Sequence, residues 1–463
     1  MRQATPAERA AFGRQARAKV PRARHGEWEP PTRRTDPLEI LALQATTRIP
    51  DLVPIRYGRM AASAFAFFRG AAAVMASDLA HDEPSGLDVQ LCGDAHLMNF
   101  GSFAAPSRDL IFDVNDFDET IPGPFEWDIK RLSASLEIAA RSRSFDPATR
   151  SAVVERGSCS YRTALADFAG QRDLEIWYSR LDLAAIMKRW GPEAGPKIIQ
   201  TFQKRIDKAQ SKDHLAALAK LTVEVDGKLR FKDNPPLIVP AEDLFTDVYS
   251  KQTTSNLADA LAQYRQTLSG DRRRLLEKYE FIDLARKVVG VGSVGTRCWV
   301  ALFLGRDNGD PLFLQVKEAE AAVGEPFVGP SEYSHHGERV VQGQRLMQGA
   351  SDIFLGWDQF RGDDGTVRDF YLRQLWDGKG SAAVDRMSPE VLGIYAEMCG
   401  WTLARAHARS GDAIAMAAYL GKGDRFDRAM SQFASSYADQ NERDFDALTK
   451  AIAEGRVQAE PGL

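Results

Sequence analysis

The chain has 463 residues, of which 44% are hydrophobic and 27% are charged, and its formal net charge is −4. This composition is typical of a globular protein with ample core, and the length predicts about three domains on a prior of roughly 150 residues each. Such a slightly acidic chain is not the strongly basic protein expected of a general nucleic-acid binder.

The cysteine spacing and the hydropathy pattern indicate in which cellular compartment the protein is expected. The four cysteines are too far apart in sequence for a disulfide framework or a paired-cysteine metal site: Cys92, Cys159, Cys298 and Cys399. No apolar run reaches membrane-spanning length, and the Arg-rich N-terminus lacks the apolar centre of a signal peptide. We therefore expect a cytoplasmic protein with no nucleic-acid or membrane partner, and the sequence identifies no protein partner.

Residues 1–36 form a basic N-terminal arm with nine Arg or Lys against four acids. Pro21, Pro30 and Pro31 argue against a continuous helix through this segment. Because terminal segments commonly stay mobile, we expect a solvated extension. Binding of an anionic partner is the alternative.

Residues 37–80 show a helical pattern, with a second helix predicted from about Arg59. Large apolar side chains crowd this second helix, which we expect to be buried on most sides: Phe65, Phe67, Phe68 and Met75. Arg69 lies among them and needs a partner. An internal salt bridge is favoured, and contact with a phosphate, which also suits a planar guanidinium, is the alternative.

A predicted strand ends at an acidic loop. Residues 87–91 alternate apolar and polar side chains, as a half-buried strand does. Gly93 then ends the strand, so that Asp94 lies directly after the end of that strand.

A second acidic segment follows a returning strand predicted at residues 109–114. That strand delivers Asp116 and Asp118 at its far end, so a hairpin would place three carboxylates beside the amide of Asn99. Like charges this close are unfavourable unless a cation lies between them. Mg²⁺, held by one or two oxygen side chains and by substrate phosphates, satisfies this requirement.

The next part of the chain is predicted to be mainly helical. A Gly123-Pro124 turn leads into a helix through about Ala140, with Asp128 near its start, where an acid favours the helix dipole. Residues 146–285 are predicted to be mostly helical, apart from a hairpin at 223–231. We find no chemical motif there, and we expect this region to shape an acceptor site or a lid.

The glycines Gly290, Gly292 and Gly295 form a G-x-G-x-x-G motif. Alone the motif is weak evidence, and a dinucleotide-binding unit is one alternative, but that unit requires a helix directly after the glycines. Here two strands separated by a turn are predicted instead, and the second strand ends at Lys317. Glycine has no side chain to keep backbone N–H groups away from a phosphate.

Further elements follow Lys317. Residues 334–348 predict a helix that contains Glu338, and residues 353–357 and 369–376 predict two strands, with 372–375 near a hinge suited to adenine. Two further helices are predicted at residues 389–409 and at about 424–452.

The segment Gly93–Asn99, followed by Asp116-Phe117, resembles the catalytic loop and metal-binding pair of protein-kinase-like phosphotransferases, especially the aminoglycoside and choline kinases. This resemblance implies ATP and Mg²⁺ as cofactors. It implies that Asp94 accepts a hydroxyl proton and that Asn99 and Asp116 bind Mg²⁺. Asp118 is a further candidate metal ligand, and Asp128 resembles the residue that braces the catalytic loop.

The same resemblance assigns roles in the second half of the chain. The three glycines of the motif would cover the nucleotide phosphates, and Lys317 would hold the α and β phosphates. A helical glutamate would orient Lys317, with Glu338 as the candidate and Glu332 as its rival.

More narrowly, the whole chain resembles DUF2252, a bacterial family of unknown function, in its segments 65–70, 93–101, 115–119 and 290–295. In ordinary kinases the glycine loop precedes the catalytic loop, whereas here the order is reversed. We therefore predict an α+β, protein-kinase-like two-lobed fold that is circularly permuted. It would combine a mostly helical large lobe with a small antiparallel-sheet nucleotide lobe.

Four parts of the chain are predicted on this basis. They are the basic arm (1–36), the catalytic-loop part of the large lobe with a helical insertion (37–285), the nucleotide-binding lobe (286–376) and the remaining large-lobe helices (377–463).

The leading functional prediction is an ATP- and Mg²⁺-dependent phosphotransferase acting on a hydroxyl-bearing, small-molecule acceptor. A nucleotide-binding pseudokinase or scaffold is one alternative, and a nucleotidyl (AMP) transferase that uses the same site is another. A metal-dependent phosphohydrolase built on the acids of 113–119 alone, which would work without the glycine loop, is a weaker alternative. Asp113 and Glu119 themselves are expected to be solvated or structural.

Overall fold

The computed structural model describes residues 4–210, 214–244, 260–362, 364–375 and 380–462. Over these ranges the protein combines many helices with sheets in which every strand pair is antiparallel. The predicted α+β class is therefore confirmed.

Five helices precede the first strand. They are α1 (Pro6–Lys19), α2 (Pro37–Ala45), α3 (Val53–Met60), α4 (Ala64–Gly70) and α5 (Ala72–Leu79). α1 begins at Pro6 because Thr5 and Glu8 form a capping box, in which each side chain accepts a hydrogen bond from the other residue's backbone N–H. The helix predicted from about Arg59 is divided at two points: residues 61–63 separate α3 from α4, and the backbone leaves the helical conformation at Ala71, between α4 and α5.

The strands are short in the first half of the chain and longer in the second. They are β1 (Asp88–Leu91), β2 (Phe100–Ala104), β3 (Leu110–Val114), β4 (Ile121–Pro124), β5 (Leu181–Asp182), β6 (Thr222–Val225), β7 (Lys228–Phe231), β8 (Ile238–Pro240), β9 (Glu280–Lys287), β10 (Cys298–Leu304), β11 (Pro311–Ala319), β12 (Gly356–Arg361), β13 (Val367–Gln374) and β14 (Gly380–Ser381). Their sheets have the orders β1-β4, β14-β2-β3-β5, β6-β7 and β12-β13-β11-β10-β9-β8.

The remaining helices are α6 (Phe125–Ser142), α7 (Pro147–Ala169), α8 (Asp173–Tyr178), α9 (Leu183–Gln210), α10 (His214–Leu221), α11 (Ala241–Leu244), α12 (Gly270–Leu276), α13 (Glu325–Val328), α14 (His336–Met347), α15 (Pro389–Ser410), α16 (Ala413–Leu420) and α17 (Arg425–Ala453). Residues 260–266 are also helical. The two helices predicted near the C-terminal end match α15 and α17 closely. No helix in the described ranges has the length and apolar character required to cross a membrane.

The largest hydrophobic core lies among α6, α7 and α15, on which strands β1 to β4 pack. α7 and α15 approach closely where two glycines meet. A Cβ atom added to Gly400 would lie 2.2 Å from the carbonyl oxygen of Gly157, so only glycine fits this crossing without movement. This helical body supports the loop that carries Asp94.

The six-stranded sheet holds the glycine motif and Lys317. The glycines lie in the loop between β9 and β10, and the turn from β10 to β11 closes where Gly305 N donates to Asp310 O at 2.9 Å. Two apolar clusters pack against this sheet, and α14 lies against β13. Since a strand follows the glycines directly, the dinucleotide-binding alternative is wrong.

Two local predictions about the first half of the chain need correction. The strand at 110–114 does return along another strand, but its partner is β2 rather than β1, and β1 pairs with β4. The N-terminal arm is packed rather than solvated: α1 lies against α16, and Trp28 is buried beside Phe433 and Tyr437 of α17. The hairpin predicted at 223–231 is confirmed as β6 and β7.

Candidate functional site

The loop after β1 is braced by a buried aspartate. Gly93 has a φ of +79°, and a Cβ atom there would lie 2.0 Å from the Glu119 carbonyl oxygen. Asp128 of α6 accepts hydrogen bonds from the backbone N–H groups of Cys92 at 2.7 Å and Gly93 at 3.0 Å. Nε2 of His407 lies 3.2 Å from the same carboxylate. Asp128 therefore fixes the backbone that presents Asp94, the structural role expected from the sequence.

Asp94 itself is held by an arginine that no sequence pattern indicates. Arg131 of α6 donates to Asp94 Oδ1 from Nε at 2.8 Å, and its guanidinium lies 4.0 Å from the centroid of the Phe68 ring. Burial lowers the pKa of the neighbouring His96 to about 4, so His96 is neutral at pH 7. The Asp94 side chain keeps 22% of its surface exposed, towards an open cleft.

Asn99 connects the two acidic segments. Its Nδ2 donates to the carbonyl oxygens of Asp94 at 3.0 Å and Asp116 at 2.9 Å, and its Oδ1 accepts from Asp116 N at 2.7 Å. Residues 17 positions apart are thereby fixed side by side. An amide oxygen has two lone pairs, so Asn99 Oδ1 keeps one for a further ligand.

Lys317 joins the sheet to this acidic segment. It is 2% exposed, its Nζ lies 3.3 Å from Asp116 Oδ2, and it forms a shorter ion pair with Asp118 Oδ2. Tyr371 OH donates to the other oxygen of Asp118 at 2.7 Å. Burial alone would lower the pKa of Lys317, but the carboxylates of Asp116 and Asp118 together raise that pKa well above its usual value. Lys317 is therefore charged.

The helix α14 does not supply the predicted partner of Lys317. Among the described residues no ion pair joins Lys317 to Glu338, whose carboxylate instead accepts from Gln342 at 3.5 Å. The adjacent Arg339 faces the site: it is 1% exposed and donates to the carbonyl oxygens of Asp118 and Thr120. Asp118 thus orients Lys317, and Arg339 holds the backbone around Asp118.

The glycine loop is anchored to the N-terminal helices. Arg59 Nη1 donates to Gly290 O at 2.6 Å, and Ile49 N donates to Gly295 O at 2.8 Å. Gly290 and Gly295 have φ values of +67° and +91°, which favour glycine. A Cβ atom on Gly295 would also lie 3.0 Å from Arg48.

One cavity of about 370 Å³ brings most of these groups together. Gly290 and Gly292 line it from the sheet side, opposite the acidic loop residues Asp94, Asn99, Asp116, Asp118 and Glu119. Lys317 does not itself line the cavity, but it is ion-paired with Asp118, which does. The structure therefore gathers the predicted catalytic, metal-binding and phosphate-binding positions around one cleft, with Glu338 outside the charge network of Lys317.

The hinge predicted at 372–375 forms the end of β13. Gln374 N donates to Asp352, and Leu375 N donates to Phe313 O at 3.0 Å. A separate cavity of about 170 Å³ opens beside Arg373 and Gln374. Trp376, the next residue of the predicted strand, lies outside the described residues.

The acids of 113–119 do not form one metal-binding cluster. Asp113 is buried, ion-paired with Arg405, and accepts from Gly349 N at 2.8 Å, so it belongs to the helical core. Within the described ranges no three His, Cys, Asp or Glu side chains are arranged to hold a metal ion. This arrangement does not support a phosphohydrolase built on these acids alone.

Among the described residues, the side-chain oxygens of Asn99 and Asp116 are better candidates for holding Mg²⁺ than a cluster of three or more acidic side chains. Both side chains line the cleft, and Asp116 is 39% exposed. Mg²⁺ prefers hard oxygen ligands and commonly takes one or two from the protein and the rest from phosphates and water. Asp118, which accepts from both Lys317 and Tyr371, is less suited to the metal role predicted for it.

Glu119 has an ionisation that the sequence did not indicate. Its carboxylate accepts from Val323 N at 2.7 Å, and burial, the largest effect, raises its pKa to about 7. An unfolded glutamate titrates near 4.3. Because the folded state holds this proton more tightly, stability falls as the pH rises from about 4.5 to about 7.

We expect Glu119→Gln to remove this pH dependence, because a glutamine side chain does not ionise. The variant should keep the local structure, since a glutamine oxygen can still accept from Val323 N. The measurement is urea unfolding at a series of pH values between about 5 and 8. The free energy of unfolding of the wild type should fall relative to that of the variant as the pH rises. Parallel curves for the two proteins would contradict the raised pKa.

Comparison with known protein families identifies a match over most of the chain. A family model described as an uncharacterized protein conserved in bacteria (DUF2252) matches residues 48–451, a range that includes every predicted site residue from Asp94 to Glu338. No curated protein and no solved structure matches the chain.

Proposed function

The chain belongs to the DUF2252 family, and we propose that it is an ATP- and Mg²⁺-dependent phosphotransferase that acts on a hydroxyl group of a small-molecule acceptor. The observation that carries this proposal is the ion pairing of Lys317 with Asp116 and Asp118, some two hundred residues earlier in the chain. The proposal is further supported by a single cavity that both the glycine loop and the acidic loop line.

The order of elements supports a kinase-like small lobe. A glycine loop joins β9 and β10, Lys317 lies on β11, and α14, β12 and β13 follow. Counted from β9, Lys317 is on the third strand, where protein kinases carry their phosphate-binding lysine.

The contact between α15 and β1 supports a circular permutation. Gln90 N of β1 donates to Ser410 Oγ, at the end of α15, at 3.2 Å. A Cβ atom on Gly411 would lie 3.1 Å from Asp88 O. The end of α15 therefore lies beside the strand that leads to Asp94, so a short connection between them would restore the usual kinase order.

The residues of the cleft divide the proposed chemistry among them. ATP with Mg²⁺, when bound, supplies the phosphoryl group and neutralises its charge. Asn99 and Asp116 would hold the metal, and Lys317, oriented by Asp118 and Tyr371, would hold the phosphates. Asp94, oriented by Arg131, would align the acceptor hydroxyl and take its proton.

The first test is calorimetric titration with ATP, with and without Mg²⁺, of the wild type and of the Asp116→Ala and Lys317→Ala variants. We expect Mg²⁺-dependent binding that both changes weaken, because they remove a metal ligand and a phosphate-binding cation. Lys228→Ala is the matched control, since Lys228 is exposed on the β6–β7 hairpin. Failure of the folded wild type to bind ATP would contradict the proposal.

ATP labelled at the α or the γ phosphate then distinguishes phosphoryl transfer from nucleotidyl transfer, since both reactions would use the same residues. Transfer of the γ label to an acceptor is the result expected of a phosphotransferase. Transfer of the α label would instead show a nucleotidyl transferase. ATP binding without any labelled product, over a broad set of hydroxyl compounds, would favour a pseudokinase.

A further inference from the structure

Three arginines of the N-terminal helical segment line the same cleft, and the proposed function does not use them. We call Arg48, Arg56 and Arg69 the arginine cluster. Arg48 follows α2, Arg56 lies on α3 and Arg69 lies on α4. All three line the cavity of about 370 Å³ together with Asp94 and the glycine loop.

The arginine cluster lacks carboxylate partners. In the part of the chain that the structure describes, none of its members has an acid within ion-pair distance. Their hydrogen-bond acceptors are the neutral Leu41 O, Gln44 Oε1, Gly70 O and Val294 O. Arg69 donates no hydrogen bond to any described residue, and the Nε atoms of all three are buried without an acceptor. The salt bridge expected for Arg69 from the sequence is therefore wrong.

Burial makes this positive charge unfavourable. Arg56 is fully buried, and desolvation, followed by the charge of Arg48, lowers its pKa to about 9. Burial lowers the pKa of Arg48 and of Arg69 as well. A buried charge without a counter-charge destabilises a protein, and a bound anion removes that penalty.

The arginine cluster is a second cationic centre, distinct from Lys317. Lys317 forms its ion pairs with Asp116 and Asp118. Arg69 instead directly follows Phe68, whose carbonyl oxygen accepts a hydrogen bond from Arg131, the same arginine that donates to Asp94. A group bound at Arg69 therefore lies on the side of the cleft where Asp94 would align the acceptor hydroxyl. Guanidinium groups bind phosphate through paired, charge-assisted hydrogen bonds.

We propose that the arginine cluster binds a phosphate group of the acceptor, so that the acceptor is a phosphorylated hydroxyl compound. This inference rests on the proposed phosphotransferase function for the identity of the second substrate. It narrows the search for that substrate to anionic small molecules that carry both a phosphate and a free hydroxyl.

The test uses inorganic phosphate as the probe and thermal unfolding of the full chain as the readout. Phosphate is compared with chloride at matched ionic strength, with and without a saturating complex of Mg²⁺ and a non-hydrolysable ATP analogue. The proteins are the wild type, Arg69→Gln, and the control Arg33→Gln, whose arginine is exposed and loses the same charge. Arg69→Gln should fold, since no described residue accepts a hydrogen bond from Arg69.

We expect phosphate to raise the Tm of the wild type and of Arg33→Gln, by mass action on the folded state, whether or not the analogue is bound. Arg69→Gln should weaken the apparent phosphate affinity at least about tenfold, since charge-assisted hydrogen bonds are lost. Its calorimetric affinity for the nucleotide should be unchanged.

Three results would overturn the inference: no stabilisation by phosphate, equal stabilisation of Arg69→Gln, or loss of the phosphate effect when the analogue is bound. The last result would assign the arginine cluster to the nucleotide's own phosphates. Absence of ATP binding to the wild type would overturn the phosphotransferase proposal separately, and with it the identification of the bound phosphate as part of an acceptor.

Discussion

Asp94→Asn is expected to reduce phosphoryl transfer by about 10²- to 10⁴-fold, the usual contribution of a positioned acid or base, while ATP affinity stays nearly constant. Asparagine has almost the same shape and can still accept a hydrogen bond from Arg131, so the loop keeps its geometry. It cannot take a proton from a hydroxyl group. Release of ADP, with water or an identified acceptor, measures transfer, and calorimetry measures ATP binding.

The control for this prediction is Asp88→Asn, the same chemical change at an exposed aspartate on β1. Its activity should match that of the wild type. If Asp94→Asn loses ATP binding together with activity, Asp94 serves the nucleotide rather than the acceptor, and its role as the base would be contradicted.

Asp128→Ala is expected to lower the free energy of unfolding by about 3–5 kcal/mol. It leaves the buried N–H of Cys92 and the half-buried N–H of Gly93 without acceptors, at about 1–3 kcal/mol each, and removes a partner of His407. The Asp128 side chain is 1% exposed, so water cannot replace its hydrogen bonds to Cys92 and Gly93 without reorganisation. Denaturant unfolding monitored by circular dichroism is the measurement.

A different aspartate provides the matched control. Asp146 caps the start of α7 by accepting from Thr149 N at 3.1 Å, at an exposed position. Asp146→Ala should lower the free energy of unfolding by only about 1 kcal/mol, as the loss of an exposed helix cap does. Equal losses for the two variants would show that Asp128 does not brace the loop more strongly than an ordinary cap does.

The sequence was most informative where the site is local. Asp94, Asn99 and Asp116 lie within 23 residues, and the predicted returning strand was enough to expect that they meet, although that strand pairs with β2 rather than β1. Their meeting depends on backbone hydrogen bonds of Asn99, which a short segment can specify by itself.

The carboxylate partner of Lys317, by contrast, could not be predicted from the sequence. The rotation of α14 relative to β11 decides which of its side chains faces the cleft, and that rotation depends on packing against β13. Glu338 and Arg339 are adjacent in sequence, yet Arg339 is the residue that holds the site. Likewise, the pairing of β1 with β4 joins segments about thirty residues apart, which alternation within β1 does not reveal.

The missing partners of the arginine cluster were also beyond the sequence. An arginine in an apolar helix predicts a counter-charge, and several acids were candidates. That these acids instead pair with other cations, as Asp94 does with Arg131, is a property of the folded chain. The absence of carboxylate partners around these arginines can be recognised only when the positions of the neighbouring acids in the fold are known.

The crossing of α7 with α15 has a consequence for the synthesis of the protein. About 220 residues separate the end of α7 from the start of α15. A ribosome adding roughly 5–20 residues per second needs on the order of 10 to 40 seconds to cover that distance. Throughout that interval the faces of α6 and α7 that pack against α15 in the folded protein lack this partner, so we expect the nascent chain to be a substrate for chaperones.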